Sequence, residues 1–280
     1  MHPHRWLRHE SETRTWLFKP ARAERARSLP EDIAERLACG FAGLLRIPAA
    51  RVELATRHGG PGVIVEDARW AGGALQHGQV LMTEVDEHYD PDDREHRGHS
   101  VVAIRSALAR FDPPPGADVP SEFTGFDVFS GYLVFDGLIA HVDRHDRNWA
   151  VLVRPPGEPG NDALCASFDH AACLGFTLAE EAQARHLQNR SVAEWAGQGR
   201  ASRFEHQRGT RWASLVDLAA SAVDLCSSDV RAAWHNRLEA IERDAVDDLV
   251  GAAPRLSEVT RLFIAELVMV NRRRLLDVLR

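Results

Sequence analysis

A strongly apolar helix that runs straight into a densely polar loop is the feature that most restricts this chain. The helix reads over residues 123–139, with Phe126, Phe129, Leu133, Val134 and Leu138 as core candidates. The loop that follows is His141-Val142-Asp143-Arg144-His145-Asp146-Arg147-Asn148. Two strands come next, over 149–153 and 164–168, around a Pro/Gly-rich turn at 155–161. A hairpin with its turn at the far end sets its two open ends side by side. Asp169, just past the second strand, is therefore expected close to Asn148. Two carboxylates, Asp143 and Asp169, and one amide oxygen would converge on one spot.

A cluster of hard oxygen ligands suits Mg²⁺, which takes one or two carboxylates and completes its shell with phosphate oxygens and water. A carboxylate left off the metal is free to orient or deprotonate an attacking hydroxyl. Asp-x-x-x-x-Asn, a hairpin and a second Asp are the parts used for this in phosphoryl transfer. That chemistry also needs a cation on the nucleotide phosphates. Lys19 stands on an early strand (residues 15–20) and Glu35 on the next helix, the spacing of a strand lysine held by a helix glutamate. Lys19 is moreover the only lysine among 34 basic residues. Arginine has replaced lysine almost everywhere, the mark of a GC-rich genome, and a retained lysine suggests a need for a compact point charge rather than a planar fork. The bland alternatives are a codon surviving by chance, and an Asp and Asn that merely shape a turn.

The first 80 residues read as strand, helix and several strands. The helix opens at Pro30-Glu31-Asp32, carries Ile33, Leu37, Phe41, Leu44 and Leu45 on one face, and stops at Pro48. Strands are predicted over 51–56 and 61–66 about Gly59-Gly60, and again over 74–82. Residues 89–95 form a polar connector. The remainder is mostly helical, over 100–111, 178–188, 211–226, 229–250 and 257–279, with Ser228 as an N-cap and Ser257 either capping or beginning the last helix. The class is thus α+β, with a small β-rich part and a larger helical part meeting near residue 80.

Composition narrows the function. The net charge of −7 disfavours phosphate-backbone binding, so no nucleic-acid partner is expected. No run of about 18 apolar residues exists, so no membrane insertion is expected. The N-terminus lacks a signal-peptide core, and a cytoplasmic protein follows as the expectation. The four cysteines, Cys39, Cys165, Cys173 and Cys226, form no C-x-x-C pair and read as buried reduced thiols.

The segment from Phe135 through His141, Asp143 and Asn148 to Trp149 resembles the catalytic segment of bacterial HipA-like kinases in compact form. Ser167-Phe168-Asp169-His170 to Gly175 resembles their metal-binding segment, and Trp16-Leu17-Phe18-Lys19 their lysine strand. Leu75-Gln76-His77-Gly78 looks like their interlobe hinge, and the tail from Leu256 to Arg274 is also similar. The resemblance implies a two-lobed protein-kinase-like fold, with residues 1–80 as N-lobe and 81–280 as C-lobe. It implies transfer of the ATP γ-phosphoryl group to a serine or threonine of a protein, with Mg²⁺. Carried over by residue, Asp143 is the catalytic base, Asn148 and Asp169 bind metal, Lys19 and Glu35 serve the phosphates, and Leu75 and His77 cradle adenine.

His145 joins Asp143 as a candidate catalytic residue. His141, Asp143 and His145 also spell H-x-D-x-H, which suggests zinc, but the further ligands such a site needs are not in view. Arg144 and Arg147 are either phosphate binders or salt-bridge residues, and Arg272-Arg273-Arg274 reads as a solvated helix end. No glycine precedes Lys19, so a glycine-rich lid is absent or replaced by residues 8–13, with Ser11, Thr13 and Thr15 as exposed hydroxyls or self-phosphorylation sites. The alternatives within the same fold are a small-molecule or phosphoinositide kinase, or a pseudokinase that binds nucleotide without turnover.

Overall fold

In a computed structural model of the chain, residues 5–8, 14–21, 29–206 and 209–280 are described. Strands β1 (Arg5–Arg8), β2 (Thr15–Pro20), β3 (Val52–Arg57) and β4 (Gly60–Glu66) form one antiparallel sheet in the order β1-β2-β4-β3. Helix α1 (Glu31–Leu45) packs against β3 and β4. Its first turn carries Glu31 and Asp32, which complement the positive end of the helix dipole, and it stops at Arg46 in a left-handed conformation (φ 53°). The apolar face of α1, Ile33, Leu37, Phe41 and Leu45, is buried in the same core as Phe129 and Leu133 of the helical body.

A second antiparallel sheet joins β5 (Ala74–His77), β6 (Ala150–Val153) and β7 (Ala163–Leu164) in that order. The strand expected over 74–82 ends at His77. From there Gly78–Val85 is helix α2, with Leu81 and Met82 buried on one face. Gly78 is required at this join, since a Cβ there would lie 2.1 Å from the Trp149 indole. The strand expected over 164–168 is also shorter. Ser167 instead bridges back to the loop after α1, its N–H donating to Pro48 O and its carbonyl accepting from Ala50 N, both at 2.8 Å.

The rest is helical: α3 (Val101–Leu108), α4 (Gly125–Ile139), α5 (Glu180–Gln188), α6 (Val192–Ala196), α7 (Leu215–Val223), α8 (Ser228–Glu239), α9 (Arg243–Gly251) and α10 (Glu258–Val278). Helix α4 is buried along almost its whole length and packs against α1, α3, α7, α8 and α10, as a helix apolar on every side must. Thr124 and Asp127 close its N-terminus as a capping box.

Residues 229–250 make two helices rather than one, with Ser227, not Ser228, as the first N-cap. Arg272 explains the break. Its guanidinium donates to the carbonyls of Leu238 and Glu239 at 2.8 and 2.7 Å, so it complements the end of α8 and not a solvated end of its own helix. Strand β1 and helix α6 have no counterpart in the sequence reading. Cys165 and Cys173 are buried and free as expected, whereas Cys39 and Cys226 are only half-buried. Residues 9–13, with Ser11 and Thr13, lie outside the described residues, and Thr15 is in β2. Among the described residues no helix is long and apolar enough to cross a membrane.

Candidate active site

Lys19 is delivered by β2, Glu35 by the first turns of α1, and Asp169 by the segment that Ser167 pins to the loop after α1. The Lys19 ammonium donates to Glu35 Oε1 and to Asp169 Oδ1, both at 2.8 Å. Residues far apart in sequence thus meet on one nitrogen. Gly62 of β4 lets the strands close here, because a Cβ would sit 2.3 Å from the Lys19 carbonyl oxygen.

The charges hold one another in place. Burial alone would lower the Lys19 pKa, but the two carboxylates together outweigh it, and the ammonium titrates above its ordinary value. Burial raises the Glu35 carboxyl despite the neighbouring Lys19. Burial works the same way on Asp169, yet Lys19 wins there and holds it at about 2. Asp169 also stands at φ 61°, a left-handed conformation that L-residues adopt at a cost.

The polar loop is seated from below by a buried ion pair. Asp136, on α4, takes Arg144 Nε at 2.9 Å and Arg144 Nη2 at 2.7 Å. The same guanidinium donates to Asn148 O (2.8 Å) and Ser167 Oγ (3.0 Å), tying α4, the loop and the Asp169 segment together. His141 Nδ1 lies 3.1 Å from Asp136 Oδ1. Burial opposes ionisation of Asp136, but Arg144 and then His141 override it and hold the carboxyl below the usual carboxylate range. Arg144 is therefore structural, and Arg147 is an exposed residue paired with Gln79 and Asp92.

Above this anchor Asn148 Nδ2 donates to Asp143 O at 2.7 Å, which leaves its amide oxygen as the free end. Asp143 Oδ1 accepts from Arg203 Nε at 2.7 Å, and its Oδ2 lies 3.9 Å from His145 Nε2. Burial lowers the His145 pKa, against the pull of Asp143.

A cavity of about 400 Å³ opens here, lined by Lys19, Glu35, Asp143, Asp169, Arg203 and Val63 among others. A second, of about 170 Å³, lies beyond the loop between His145, Asp146, Tyr89, His96 and Arg203. Of the residues singled out from sequence, Lys19, Glu35, Asp143 and Asp169 share the first cavity, His145 faces the second, and Asn148 is buried behind Asp143. Leu75 and His77 line neither. Leu75 packs with Trp70 and Phe168 on Ala150, Leu152 and Cys165, and the His77 ring meets Phe168 edge-on at 6.2 Å.

Among the described residues no group of three His, Cys, Asp or Glu is placed to hold a metal. The donors available are the Asp169 carboxylate and the Asn148 amide oxygen. Such a set fits Mg²⁺, whose remaining ligands come from phosphate and water, and does not fit a protein-caged zinc.

Sequence reasoning missed Arg203 and the role of Asp136. Asp136, the one carboxylate beyond the first turn of so apolar a helix, was a usable signal, since a buried charge has to be paired. Arg203 gave none.

No family model and no curated protein matches the sequence. Solved structures match its fold. The Helicobacter pylori proinflammatory kinase CtkA superposes with a TM-score of 0.75 at 15% identity, covering 99% of this chain and 92% of that one. Shewanella oneidensis HipA, solved in a toxin–antitoxin complex with HipB and operator DNA, gives a TM-score of 0.51 at 13% identity. That match covers 96% of this chain and 58% of the other. The chain has the fold of these kinases, a small antiparallel sheet with a mostly helical remainder, in agreement with the HipA-like resemblance read from the sequence.

Proposed function

We propose that the protein is a kinase that moves the γ-phosphoryl group of ATP, with Mg²⁺, to a serine or threonine hydroxyl of a protein, itself included. One observation carries this reading: the chain's single lysine is bonded to both Glu35 and Asp169 on the wall of a cavity that also holds Asp143. The kinase fold of its neighbours supports it, and the HipA-like resemblance supplies the acceptor class and a bacterial, cytoplasmic setting.

In this reading Lys19 binds phosphate oxygens and Glu35 keeps the ammonium aimed at them. Asn148 and Asp169 would hold Mg²⁺, which supplies positive charge to the phosphates. Asp143 accepts the proton of the acceptor hydroxyl as its oxygen bonds to the γ-phosphorus. The bond from that phosphorus to the bridging oxygen breaks, and ADP leaves. His145 assists from beside Asp143. Leu75 and His77, on β5 just before the join of residues 1–80 to 81–280, border the adenine, and that join divides the N-lobe from the C-lobe.

The test is transfer from γ-labelled ATP with and without Mg²⁺. Asp143→Ala and Asp169→Ala should each cut turnover by roughly two or more orders of magnitude. Wild-type rates in both variants would refute the assignment. ADP release measured across candidate acceptors separates a protein substrate from a small molecule or lipid headgroup. Binding of Mg²⁺-ATP without turnover would mark a pseudokinase.

A further inference from the structure

The carboxylate proposed as base is itself held. Asp143 Oδ1 accepts from Arg203 Nε at 2.7 Å, while Oδ2 keeps only the 3.9 Å approach of His145 Nε2 among the described residues. An ion pair between partly exposed side chains is ordinarily worth little. Arg203 is different because its backbone is clamped on both sides. Its carbonyl accepts from His99 Nδ1 at 2.6 Å, and Glu205 N donates to His99 O at 2.9 Å. Phe204, between them, is buried and stacked on the His99 ring with centroids 4.6 Å apart. Ala201 N is bonded to Ala213 O.

His99 is fixed in turn from the other side. The Trp149 indole N–H, which can only donate, points at His99 Nε2 at 3.2 Å. Nε2 must then be the acceptor, and Nδ1 carries the proton given to the Arg203 carbonyl. Trp149 directly follows Asn148. A closed circuit results: from the loop through Trp149 to His99, to the Arg203 backbone, along its side chain, and back to Asp143. Arg203 is also the residue that lines both cavities.

We infer that Arg203 is a positioning residue for the transfer proposed above: it ties down Oδ1 of Asp143 so that Oδ2 is the oxygen presented to the acceptor hydroxyl. The inference rests on the kinase reading. It goes beyond it by naming which oxygen acts and what aims it.

The experiment is steady-state transfer from ATP by wild type, Arg203→Met, Arg203→Lys, Asp143→Asn and the Arg203→Met/Asp143→Asn double variant, with melting temperatures recorded for each. Arg203→Met should lower kcat roughly 10- to 100-fold with KM for ATP nearly unchanged. Arg203→Lys, which still offers Oδ1 a donor, should recover much of the loss. The double variant should be no slower than Asp143→Asn alone, because Arg203 acts only through Asp143. Unchanged kcat in Arg203→Met, additive losses in the double variant, or no recovery with lysine would each overturn the inference. So would a rise in kcat, which would make Arg203 a plug that has to leave. If wild type itself shows no transfer, the kinase reading and the inference fall together. If wild type is active and Arg203→Met matches it, only the inference falls.

Discussion

Replacing Arg144 by methionine tests what seats the polar loop of residues 141–148. The substitution keeps much of the side-chain length and removes the charge that faces Asp136. Both residues are 2% exposed, so the carboxylate left behind has almost no access to water. Removing one partner of a buried pair costs about 3–5 kcal/mol. A second route to the magnitude agrees. The orphaned site can relieve itself by taking up a proton, and placing one on an ordinary carboxyl at pH 7 costs about 4 kcal/mol, from about three pH units at about 1.4 kcal/mol each. For a chain of this length the melting temperature should fall by roughly 10 °C.

The pH dependence makes the prediction specific. In wild type Asp136 is ionised in both the folded and unfolded states above about pH 5, and contributes no slope there. In the variant the buried Asp136 has lost its chief counter-charge, so burial raises its carboxyl and the folded state holds a proton that the unfolded chain releases. Stability relative to wild type should then fall by about 1.4 kcal/mol for each unit of pH above about 5, for as long as that carboxyl stays protonated in the folded state. Urea unfolding followed by tryptophan fluorescence at several pH values measures this directly. The double variant Arg144→Met/Asp136→Leu should regain most of the loss and show no such slope, since no charge is left stranded. A loss below about 1 kcal/mol in the single variant, with no added slope, would refute the claim that this pair holds the loop.

Three further outcomes are expected. Burial holds His99 at about 4, below its unfolded value of about 6.5, so its neutral form stabilises the fold above about pH 6.5 and that support is lost as pH falls through about 4; His99→Gln should remove up to about 3 kcal/mol of acid sensitivity in denaturant melts. Glu35→Gln keeps the shape at Lys19 but removes the charge, and should lower kcat/KM for ATP by roughly 10- to 100-fold in steady-state assays without destabilising a site whose burial already disfavours the carboxylate. Ala140 ends α4 in a left-handed conformation (φ 52°), where a Cβ is costly, so Ala140→Gly should raise stability by about 1 kcal/mol in thermal melts.

Much of the site was legible because short-range signals and one topological rule were enough. The strand-then-helix order of Lys19 and Glu35 anticipates their meeting without any knowledge of side-chain packing, and the hairpin brings Asp169 back to the same ammonium. Residues 78–82 were misread because a short apolar run such as Val80-Leu81-Met82 satisfies strand and helix alike. What decides it is Gly78 lying against Trp149, a contact between distant segments. The break between α8 and α9 is likewise imposed from outside, by Arg272 reaching over from α10. Arg203 was invisible for the same reason. Nothing local separates it from the many other arginines until Trp149 and His99 place it beside Asp143.

The solitary ammonium at position 19 gives the molecule an unusual chemical address. Apart from a terminal amine, a reagent that acylates primary amines has one place to react, and that place is mostly covered and shared between two carboxylates. Labelling with such a reagent would therefore not report on general surface accessibility, as it does for most proteins. The rate of modification would count how often the Lys19 cluster opens, and a bound nucleotide should slow it.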